Sequence, residues 1–351
     1  MKVGIVTFFY ANNPGSVLQS YALQRVINNI DKSFDCSFCD FRIQNNFSLI
    51  RYLYSYFKGY KFKKFREEFL KVSCRYYYQQ EGVFNYVDKS YDKFIVGSDQ
   101  VWNPQITGIR SPLFFLSFVN NNKKKNTYAA SIGIDGFSEE EAQVYGPLMK
   151  SFNHISVREK SSISLVKALT GREAEYVLDP TLLLHSEEWL DLSRKPKENN
   201  YVFVYGIKEN NTDLLILANH VSKDANLPVI QMTGGVKNHL SKSKKILFYG
   251  PQEWLGYINN AQYVVTDSFH GIVFCLLLKK PFFVRINPSS TCKSRIYNIL
   301  EEFGLSDRII SDIDNFNVSQ MPSPYFGQFD SKIGKLRDKS ISYLRTILYE
   351  K

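Results

Sequence analysis

One histidine, His270, stands just after a polar turn that ends an apolar strand, within residues 261–284 (AQYVVTDSFHGIVFCLLLKKPFFV). The turn, Thr-Asp-Ser, consists of residue types that cap helices, so it predicts a short helix that begins directly after the strand. A helix N-terminus offers N–H groups and a partial positive charge to an anion, and Gly271 would let that anion approach the backbone. These residues predict an anion site with a titratable imidazole beside it. The alternative is an ordinary strand–helix–strand unit whose histidine is solvated or caps the helix.

Three more polar groups follow predicted strands in the N-terminal half of the chain. They are residues 12–19, between a first strand and a helix, residues 97–103, and Arg158 after a short strand. In parallel α/β sheets, ligands bind beyond the carboxyl ends of the strands. These groups are therefore candidates for contact with a ligand.

Alternating strands and helices must position these groups. Apolar strand patterns at residues 2–9, 93–96, 125–132 and 201–205 are separated by helical spacing, and the whole of residues 45–87 is predicted to be largely helical. The glycine-bearing loops match neither GxGxxG nor a P-loop, so the usual nucleotide motifs are absent from the sequence.

The 351 residues suffice for two domains. A charged, Pro- and Asn-rich run within residues 185–200 predicts a linker. We predict an α/β fold with an N-terminal domain at 1–195, a C-terminal domain at 196–325, and a terminal helix in 326–351 that crosses back to the first domain. Two such domains form a cleft, where ligands often bind, and the polar groups of both halves would face it.

The composition is that of a globular protein, with 44% hydrophobic and 22% charged residues. No apolar run approaches the roughly 20 residues of a membrane-spanning helix. The N-terminus lacks a signal-peptide pattern, and the five cysteines form no paired framework. We therefore expect a cytoplasmic protein. Cys36 and Cys39 form a CxxC motif, but no second CxxC or nearby His accompanies them, so neither metal binding nor redox use of the pair is expected.

The net charge of +10 is compatible with nucleic acid, an anionic membrane surface or phosphorylated substrates. Residues 58–71 (KGYKFKKFREEFLK) combine basic side chains with regularly spaced aromatic ones. An amphipathic helix of this kind suits the inner face of the cytoplasmic membrane, and the alternative is a solvated helix packed on its neighbour. No basic stripe or known module predicts nucleic-acid binding.

Six motifs in order resemble the polysaccharide pyruvyl transferase family. They are NPGSVLQSYALQ, FIVGSDQVWN, YAASIG, SVRE, VLDPTLLL and TDSFHGIVFCLLLKKPF, and the resemblance covers about residues 2–310. It implies a GT-B-like fold, with two Rossmann-like domains facing a central cleft. It also implies transfer of the pyruvyl group of phosphoenolpyruvate to a saccharide, often lipid-linked, as a cyclic ketal. No metal or other cofactor is expected, and the oligomeric state is left open.

The resemblance also implies roles for individual residues. His270 matches a donor-site histidine of the family and would transfer a proton or contact phosphate, while Arg158 matches an arginine that binds the donor anion. A further donor cation would be Lys293 or Arg295. Many members carry Arg where this chain has Ser268. On the acceptor side, Asp99 is the candidate base, and the candidate contacts are Asn12, Ser16, Gln19, Gln100, Trp102 and Asn103.

Each of these roles has a structural alternative. Asp99 could brace its loop, Trp102 could belong to the core, and Arg158 could pair with Glu159 or Asp179. Two other functions are also open: a GT-B glycosyltransferase that uses a nucleotide sugar, and a protein that binds anionic glycans without catalysis.

Overall fold

The structure, a computed structural model, describes residues 1–42, 49–207, 212–232, 243–286 and 293–350, with the backbone alone at 49–58. It forms two compact units. The first comprises Met1–Arg51, Lys64–Leu184 and Gly334–Lys351, and the second comprises Tyr52–Lys63 and His185–Ile333. The division therefore falls before the segment predicted as a linker.

A parallel five-stranded sheet forms the centre of the first unit. Its strands are β1 (Lys2–Val6), β2 (Asp35–Arg42), β3 (Val72–Tyr77), β4 (Lys93–Val96) and β5 (Lys125–Thr127), in the spatial order β3-β2-β1-β4-β5. The helices are α1 (Pro14–Ile30), α2 (Leu49–Phe69, of which Tyr52–Lys63 belongs to the second unit), α3 (Val83–Ser90), α4 (Pro104–Thr107), α5 (Ser111–Phe114), α6 (Glu139–Lys150) and α7 (Ser161–Thr170). A separate parallel pair consists of β6 (Ser156–Val157) and β7 (Glu175–Tyr176).

The strands at the centre of this sheet are apolar on both faces. All of β4 and the last four residues of β1 are buried. Continuous burial of this kind is expected where helices cover both faces of a parallel sheet. The predicted strand at residues 93–96 is confirmed, while the one at 2–9 is shorter than predicted.

Two predictions in the first unit need correction. Residues 45–87 are largely helical, as predicted, in α2 and the start of α3, but strand β3 lies between the two helices, with Val and Tyr residues that favour extended backbone. The predicted residues 45–48 lie outside the described part of the chain. The strand predicted at 125–132 ends at Thr127, because Ala129 has a positive φ of 55° that breaks the regular pairing.

The second unit contains another parallel five-stranded sheet. Its strands are β8 (Val202–Tyr205), β9 (Val229–Met232), β10 (Lys244–Ile246), β11 (Tyr263–Thr266) and β12 (Phe282–Val284), in the order β10-β9-β8-β11-β12. Its helices are α8 (Ser186–Leu192), α9 (Thr212–Ala225), α10 (Pro251–Asn260), α11 (Phe269–Leu277) and α12 (Ser294–Glu302). Helix α8 occupies the first half of the predicted linker.

Both sheets share one topology, in which the strand order reverses next to the first strand. The reversal lies between β1 and β4 in the first unit and between β8 and β11 in the second. Loops that leave the carboxyl ends of such strand pairs diverge and open a crevice, which is where parallel α/β sheets bind ligands. Each sheet therefore has one loop pair at which a ligand is expected to bind.

A final helix, α13 (Gly327–Tyr349), contributes its last part to the first unit. The Tyr343 hydroxyl donates to the Thr127 carbonyl (3.0 Å), and Lys93 Nζ donates to the Ile347 carbonyl (2.8 Å). Leu344 and Ile347 are fully buried. The end of the chain thus completes the core of the unit in which the chain begins.

Candidate functional site

The turn between β11 and α11 is fastened to strand β8 by its own side chains. Thr266 Oγ1 donates to the Tyr205 carbonyl (2.7 Å) and accepts from the Ser268 N–H (3.0 Å). Ser268 Oγ accepts from the Gly271 N–H (3.2 Å), which makes Ser268 the N-cap of α11. The helix start predicted from the Thr-Asp-Ser turn is confirmed.

His270 is the second residue of α11 and is buried, with 6% of its surface exposed. Its ring meets that of Phe269 edge to face, with 5.2 Å between the ring centroids. Because the ring is buried and Ser268 provides the cap, the alternative of a solvated or capping histidine is wrong. Asp267 Oδ1 accepts from the Ile207 N–H (2.8 Å) just after β8, so the turn spans the point where the strand order reverses.

This turn combines two features useful for chemistry on an anion. The positive end of the α11 dipole lies at its start, and an imidazole occupies the same turn. A helix N-terminus stabilises negative charge, and histidine exchanges protons near neutral pH. The arrangement can therefore hold an anionic group and protonate or deprotonate it.

Gly271 allows close packing within the turn, whereas the sequence predicted that it would let an anion approach the backbone. A Cβ at this position would lie 2.6 Å from Thr266 Oγ1 and 3.3 Å from Ser268 Cβ. The space beside its Cα is therefore filled by the strand and the cap of the same turn, and the expected approach of a ligand to this backbone is wrong. Glycine here lets α11 pack closely against the end of β11.

In the first unit, the reversal point brings Ser16 and Asp99 together. Asn13 caps α1 by accepting from the Ser16 N–H (3.2 Å), and Ser16 Oγ donates to Asp99 Oδ2 (2.6 Å). Asp99 follows β4 with a positive φ of 79°, and its Oδ1 accepts from the Gln100 N–H (2.9 Å). A non-glycine residue held in this conformation stores backbone strain, which is found most often at functional sites. Asp99 is also half-buried, so it keeps some access to solvent.

Arg158 lies nearby but is enclosed by acidic partners. Its guanidinium is 1% exposed and binds Glu159 Oε1 (3.1 Å) and Asp179 Oδ2 (2.9 Å). Burial alone would lower its pKa, but Glu159, Asp179 and Asp99 outweigh burial and raise that pKa above the ordinary range of arginine. The structure favours the structural alternative for Arg158 over contact with the donor, since two carboxylates already hold the buried cation.

The ion pair of Arg158 also reaches the loop that carries Asp99. Ser98 Oγ donates to Asp179 Oδ2 (2.8 Å), and Arg158 donates to the same hydroxyl (3.4 Å). The Ser131 hydroxyl donates to Glu159 (2.8 Å), while the Ser131 N–H donates to the Asp99 carbonyl (3.0 Å). Arg158 and its acidic partners therefore hold the Asp99 loop in place through Ser98 and Ser131.

A family model described as polysaccharide pyruvyl transferase matches residues 13–289. This match covers most of the chain, including Asp99, Arg158 and His270. The chain belongs to the polysaccharide pyruvyl transferase family. A search of curated protein sequences found no match.

Solved structures with the GT-B fold resemble the whole chain at low sequence identity. A putative UDP-N-acetylglucosamine 2-epimerase from Listeria monocytogenes has a TM-score of 0.56 at 11% identity, covering 100% of this chain and 97% of the other. UDP-GlcNAc 2-epimerase from Neisseria meningitidis, bound to UDP-GlcNAc, gives 0.55 at 11%, covering 100% of both. Anabaena Alr3699/HepE in complex with UDP gives 0.51 at 12%, covering 99% of this chain and 100% of the other. These likenesses establish a GT-B-like fold of two Rossmann-like domains.

Ser268 marks where this pyruvyl transferase family member departs from the pattern expected of its relatives. Its hydroxyl caps α11, a role that an arginine side chain does not fill in the same way. Of the two cations proposed in its place, Arg295 is buried within α12, which contacts α11, while Lys293 precedes α12 and is half-buried. Both stay candidates for a donor contact.

Three of the predicted acceptor contacts are wrong because their side chains are enclosed. Trp102 is fully buried, stacks on Phe115 with 5.7 Å between the ring centroids, and donates Nε1–H to the Phe114 carbonyl (3.0 Å). Gln19 is fully buried and donates to groups of its own helix and to Thr7, just after β1. Asn103 is 1% exposed and caps α4. Short motifs cannot distinguish these packing roles from binding roles.

The other predicted acceptor contacts lie around Asp99. Asn12 is exposed, in the loop after β1, and Ser16 binds Asp99 directly. Gln100 is nearly buried, and its Oε1 accepts from Asn103 Nδ2 (3.0 Å). Sequence reasoning missed Ser98, which joins the loop to the buried ion pair, because a lone serine carries no distinguishing signal.

Two aromatic side chains of residues 58–71 are covered by protein, while Tyr60 is exposed. Phe62 and Phe65 are each 2% exposed; Phe65 packs on Tyr21 and Phe62 on Tyr249, both with 6.0 Å between the ring centroids. The packed-helix alternative is therefore correct for Phe62 and Phe65, and a contact with a membrane surface stays a prediction for the exposed side chains. Among the helices in the described part of the chain, none combines the length and apolar content needed to cross a bilayer.

The CxxC motif lies in strand β2. Cys36 and Cys39 are buried free thiols, and burial raises the pKa of both. Thiolates bind metals and attack disulfides, so a raised thiol pKa disfavours both kinds of chemistry. The pair belongs to the core of the first unit.

Proposed function

We propose that this chain transfers the pyruvyl group of phosphoenolpyruvate to two hydroxyls of a saccharide, free or lipid-linked, and forms a cyclic ketal. The observation that carries the proposal is His270 at the start of α11, on the reversal point of the second sheet and inside the segment that matches the family. Phosphoenolpyruvate bears a phosphate and a carboxylate, and both suit a site with a helix N-terminus and neighbouring cations.

The reaction balances without a cofactor. A proton adds to the methylene carbon of phosphoenolpyruvate, which leaves a cationic centre at the carbon that bears the phosphate. One saccharide hydroxyl attacks this carbon and loses its proton, and the C–O bond to phosphate then breaks. The second hydroxyl attacks the same carbon and loses its proton in turn. Of the two hydroxyl protons, one replaces the proton taken up by the methylene carbon and the other leaves with phosphate.

His270 is assigned the proton transfer to the donor. An imidazole can supply a proton near neutral pH and take one back later in the cycle, and general acid–base catalysis of this kind contributes about 10²- to 10⁴-fold to a rate. Its ring is held by burial against Phe269, so it needs little reordering during turnover. The dipole of α11 favours the departing phosphate.

Asp99 is assigned the acceptor hydroxyl. Its carboxylate already accepts a hydrogen bond from the Ser16 hydroxyl (2.6 Å), which shows that this oxygen can bind a hydroxyl group. A saccharide hydroxyl in the same position would lose its proton to the carboxylate as it attacks. Asn12 and Gln100 lie on the two loops that flank this pair and are assigned hydrogen bonds to the saccharide.

A donor comparison tests the proposal against its rivals. The protein is incubated with candidate saccharides and either phosphoenolpyruvate or nucleotide sugars, while inorganic phosphate and nucleoside diphosphate are measured separately. Saccharide-dependent release of inorganic phosphate from phosphoenolpyruvate supports the proposal. Release of a nucleoside diphosphate from a nucleotide sugar would show a glycosyltransferase instead, and binding without release of either would show a glycan-binding protein.

A further inference from the structure

Two arginines contact Tyr10 in the loop that follows β1, and a third binds the residue next to it. The guanidinium carbons of Arg42 and Arg110 lie 5.2 and 5.5 Å from the centre of its ring, and Arg110 also donates to its hydroxyl. Arg66 reaches the same loop, where it donates to the Ala11 carbonyl (3.4 Å). We name Tyr10, Arg42, Arg66 and Arg110 the Tyr10 arginine cluster. Each of its four side chains is partly exposed, so a ligand could reach it.

Two arginines of the cluster, Arg42 and Arg66, lie at the two ends of a strongly basic stretch of the sequence. Residues 42–66 contain seven Lys and Arg residues and no Asp or Glu, against a net charge of +10 for the whole protein. Asp40 is the buried carboxylate that pairs with Arg42 (2.5 Å), and it also lies 3.9 Å from Arg75. One carboxylate shared in this way leaves positive charge in excess among the described residues around Tyr10.

Two groups near this excess positive charge, Arg66 and Tyr78, have unfavourable surroundings. Burial, together with the nearby charge of Arg42, lowers the pKa of Arg66 to about 10, although Asp40 and Glu67 act in the opposite direction. Tyr78, within electrostatic reach of Arg110 and Tyr10, has a buried hydroxyl with no hydrogen-bond partner among the described residues. A buried hydroxyl without a partner is destabilising, and an anionic oxygen is a suitable acceptor for it.

The cluster also lies where the fold places ligands. Tyr10 precedes the loop that carries Asn12 and leads to Ser16, and Arg42 ends β2 at the same edge of the sheet. Arg110 follows the loop that carries Asp99. The loops after β1 and β4 therefore supply both the Ser16–Asp99 pair and two members of the cluster, at the carboxyl ends of the strands.

We propose that the Tyr10 arginine cluster binds a phosphate group carried by the saccharide acceptor, so that the acceptor is a phosphorylated saccharide. Arginine forks match the oxygens of phosphate in paired hydrogen bonds, and three of them suit a phosphate mono- or diester better than a neutral sugar. The proposal names the acceptor class of the proposed function and rests on that function. It assigns the phosphate of phosphoenolpyruvate to α11, not to the cluster.

Arginine footprinting of the unaltered protein tests the proposal. Phenylglyoxal modification is followed by mass spectrometry with no addition, with glucose 1-phosphate, with inorganic pyrophosphate, with glucose, and with phosphoenolpyruvate. We expect glucose 1-phosphate and pyrophosphate to protect Arg66 and Arg110, also when phosphoenolpyruvate is saturating, and Arg25 on α1 to be unaffected. Protection by phosphoenolpyruvate alone, or equal protection by glucose, would overturn the proposal.

Charge-removing variants provide a second measurement. Arg66→Gln and Arg110→Gln should each weaken pyrophosphate binding about tenfold or more, as expected for loss of one hydrogen bond to a charged group. Lys64→Gln removes an exposed charge from α2, the helix that carries Arg66, and should change the affinity for pyrophosphate by less than about twofold. Unchanged binding in the arginine variants, or an equal loss in Lys64→Gln, would refute the cluster as the site.

These measurements are independent of turnover. If phosphoenolpyruvate is not a donor but pyrophosphate still protects the cluster, the proposed function fails and the anion site stands. If phosphoenolpyruvate is consumed while neutral saccharides serve as well as phosphorylated ones and the cluster is unprotected, the proposed function stands and the anion site fails.

Discussion

His270, the proposed proton donor, is held in position by residues to which we assign no chemical role. Thr266 and Ser268 fix the turn through three hydrogen bonds, and burial against Phe269 fixes the ring. Asp99 is placed in the same indirect way, by Ser16 on one side and by the ion pair beneath Ser98 on the other. At the scale of residues, each of the two proposed reactive groups, His270 and Asp99, is held in place by several neighbouring residues.

Replacing His270 with Ala should lower kcat for phosphate release by about 10²-fold or more, because the proton donor is lost. His270→Gln keeps a polar side chain of similar size without a titratable group and should be equally slow. The kinetics are measured by continuous phosphate detection, with thermal unfolding as a check on folding. Near-normal kcat in the glutamine variant would remove His270 from the proton-transfer step.

Arg158→Ala should destabilise the protein by about 3–5 kcal/mol, because it leaves Glu159 and Asp179 buried without their cation. Urea unfolding monitored by circular dichroism measures the change, and Arg345→Ala on the exposed side of α13 serves as the control. A stable Arg158→Ala protein that has lost only its affinity for phosphoenolpyruvate would show that Arg158 contacts the donor after all.

At the scale of elements, the functional turn depends on how closely α11 approaches β11. Thr266 lies in the space where a side chain at position 271 would begin. The helix is almost entirely apolar and buried, so it cannot shift without disturbing the core. This packing therefore holds the turn and His270 in one position.

Gly271→Ala should therefore destabilise the second unit by about 1–3 kcal/mol, the usual cost of overpacking. Gly334→Ala is the matched control, because nothing lies within 4 Å of the Cβ it would add, and alanine there should stabilise α13 by up to about 1 kcal/mol. Thermal unfolding of both variants gives the comparison. Equal effects in the two would show that the contact with Thr266 is unimportant.

At the scale of the whole molecule, each unit is a Rossmann-like domain with the same strand order, and each has one reversal point with a polar loop pair. The chain returns to its first unit at the end, where Tyr343, Leu344 and Ile347 complete that core. The last helix is therefore required for folding of the unit that holds Asp99.

Leu344→Ala should lower the stability of the protein by about 2–5 kcal/mol, the range for removing a buried leucine side chain. Arg345→Ala, one residue on and exposed, should change stability by less than about 0.5 kcal/mol. Chemical unfolding distinguishes them. A negligible effect of Leu344→Ala would mean that the terminal helix is not part of the folded core.

Sequence patterns predicted features that depend on neighbouring residues better than features that depend on the packing of separate segments. The cap at Ser268, the helix after it and the strand–helix alternation follow from neighbouring residues, and all three are present. Glu159 and Asp179 could be named from the sequence as possible partners of Arg158, but the burial of these three residues, and of Trp102 against Phe115 and Phe152, depends on how separate segments pack together. Strand β3 was missed because its aromatic residues continue the composition of the helix before it. The Tyr10 arginine cluster was missed for a similar reason, since its members are separated by up to 100 residues.

Transfer of label from phosphoenolpyruvate to a saccharide tests the central claim most directly. The protein is incubated with [¹³C]phosphoenolpyruvate and candidate saccharides, phosphorylated and neutral, and the products are analysed by mass spectrometry and carbon NMR. We predict a saccharide that carries one labelled pyruvyl group as a ketal, formed by the wild-type protein and not by His270→Gln. Phosphate release without labelled saccharide, or labelling that is equal in the two proteins, would contradict the account.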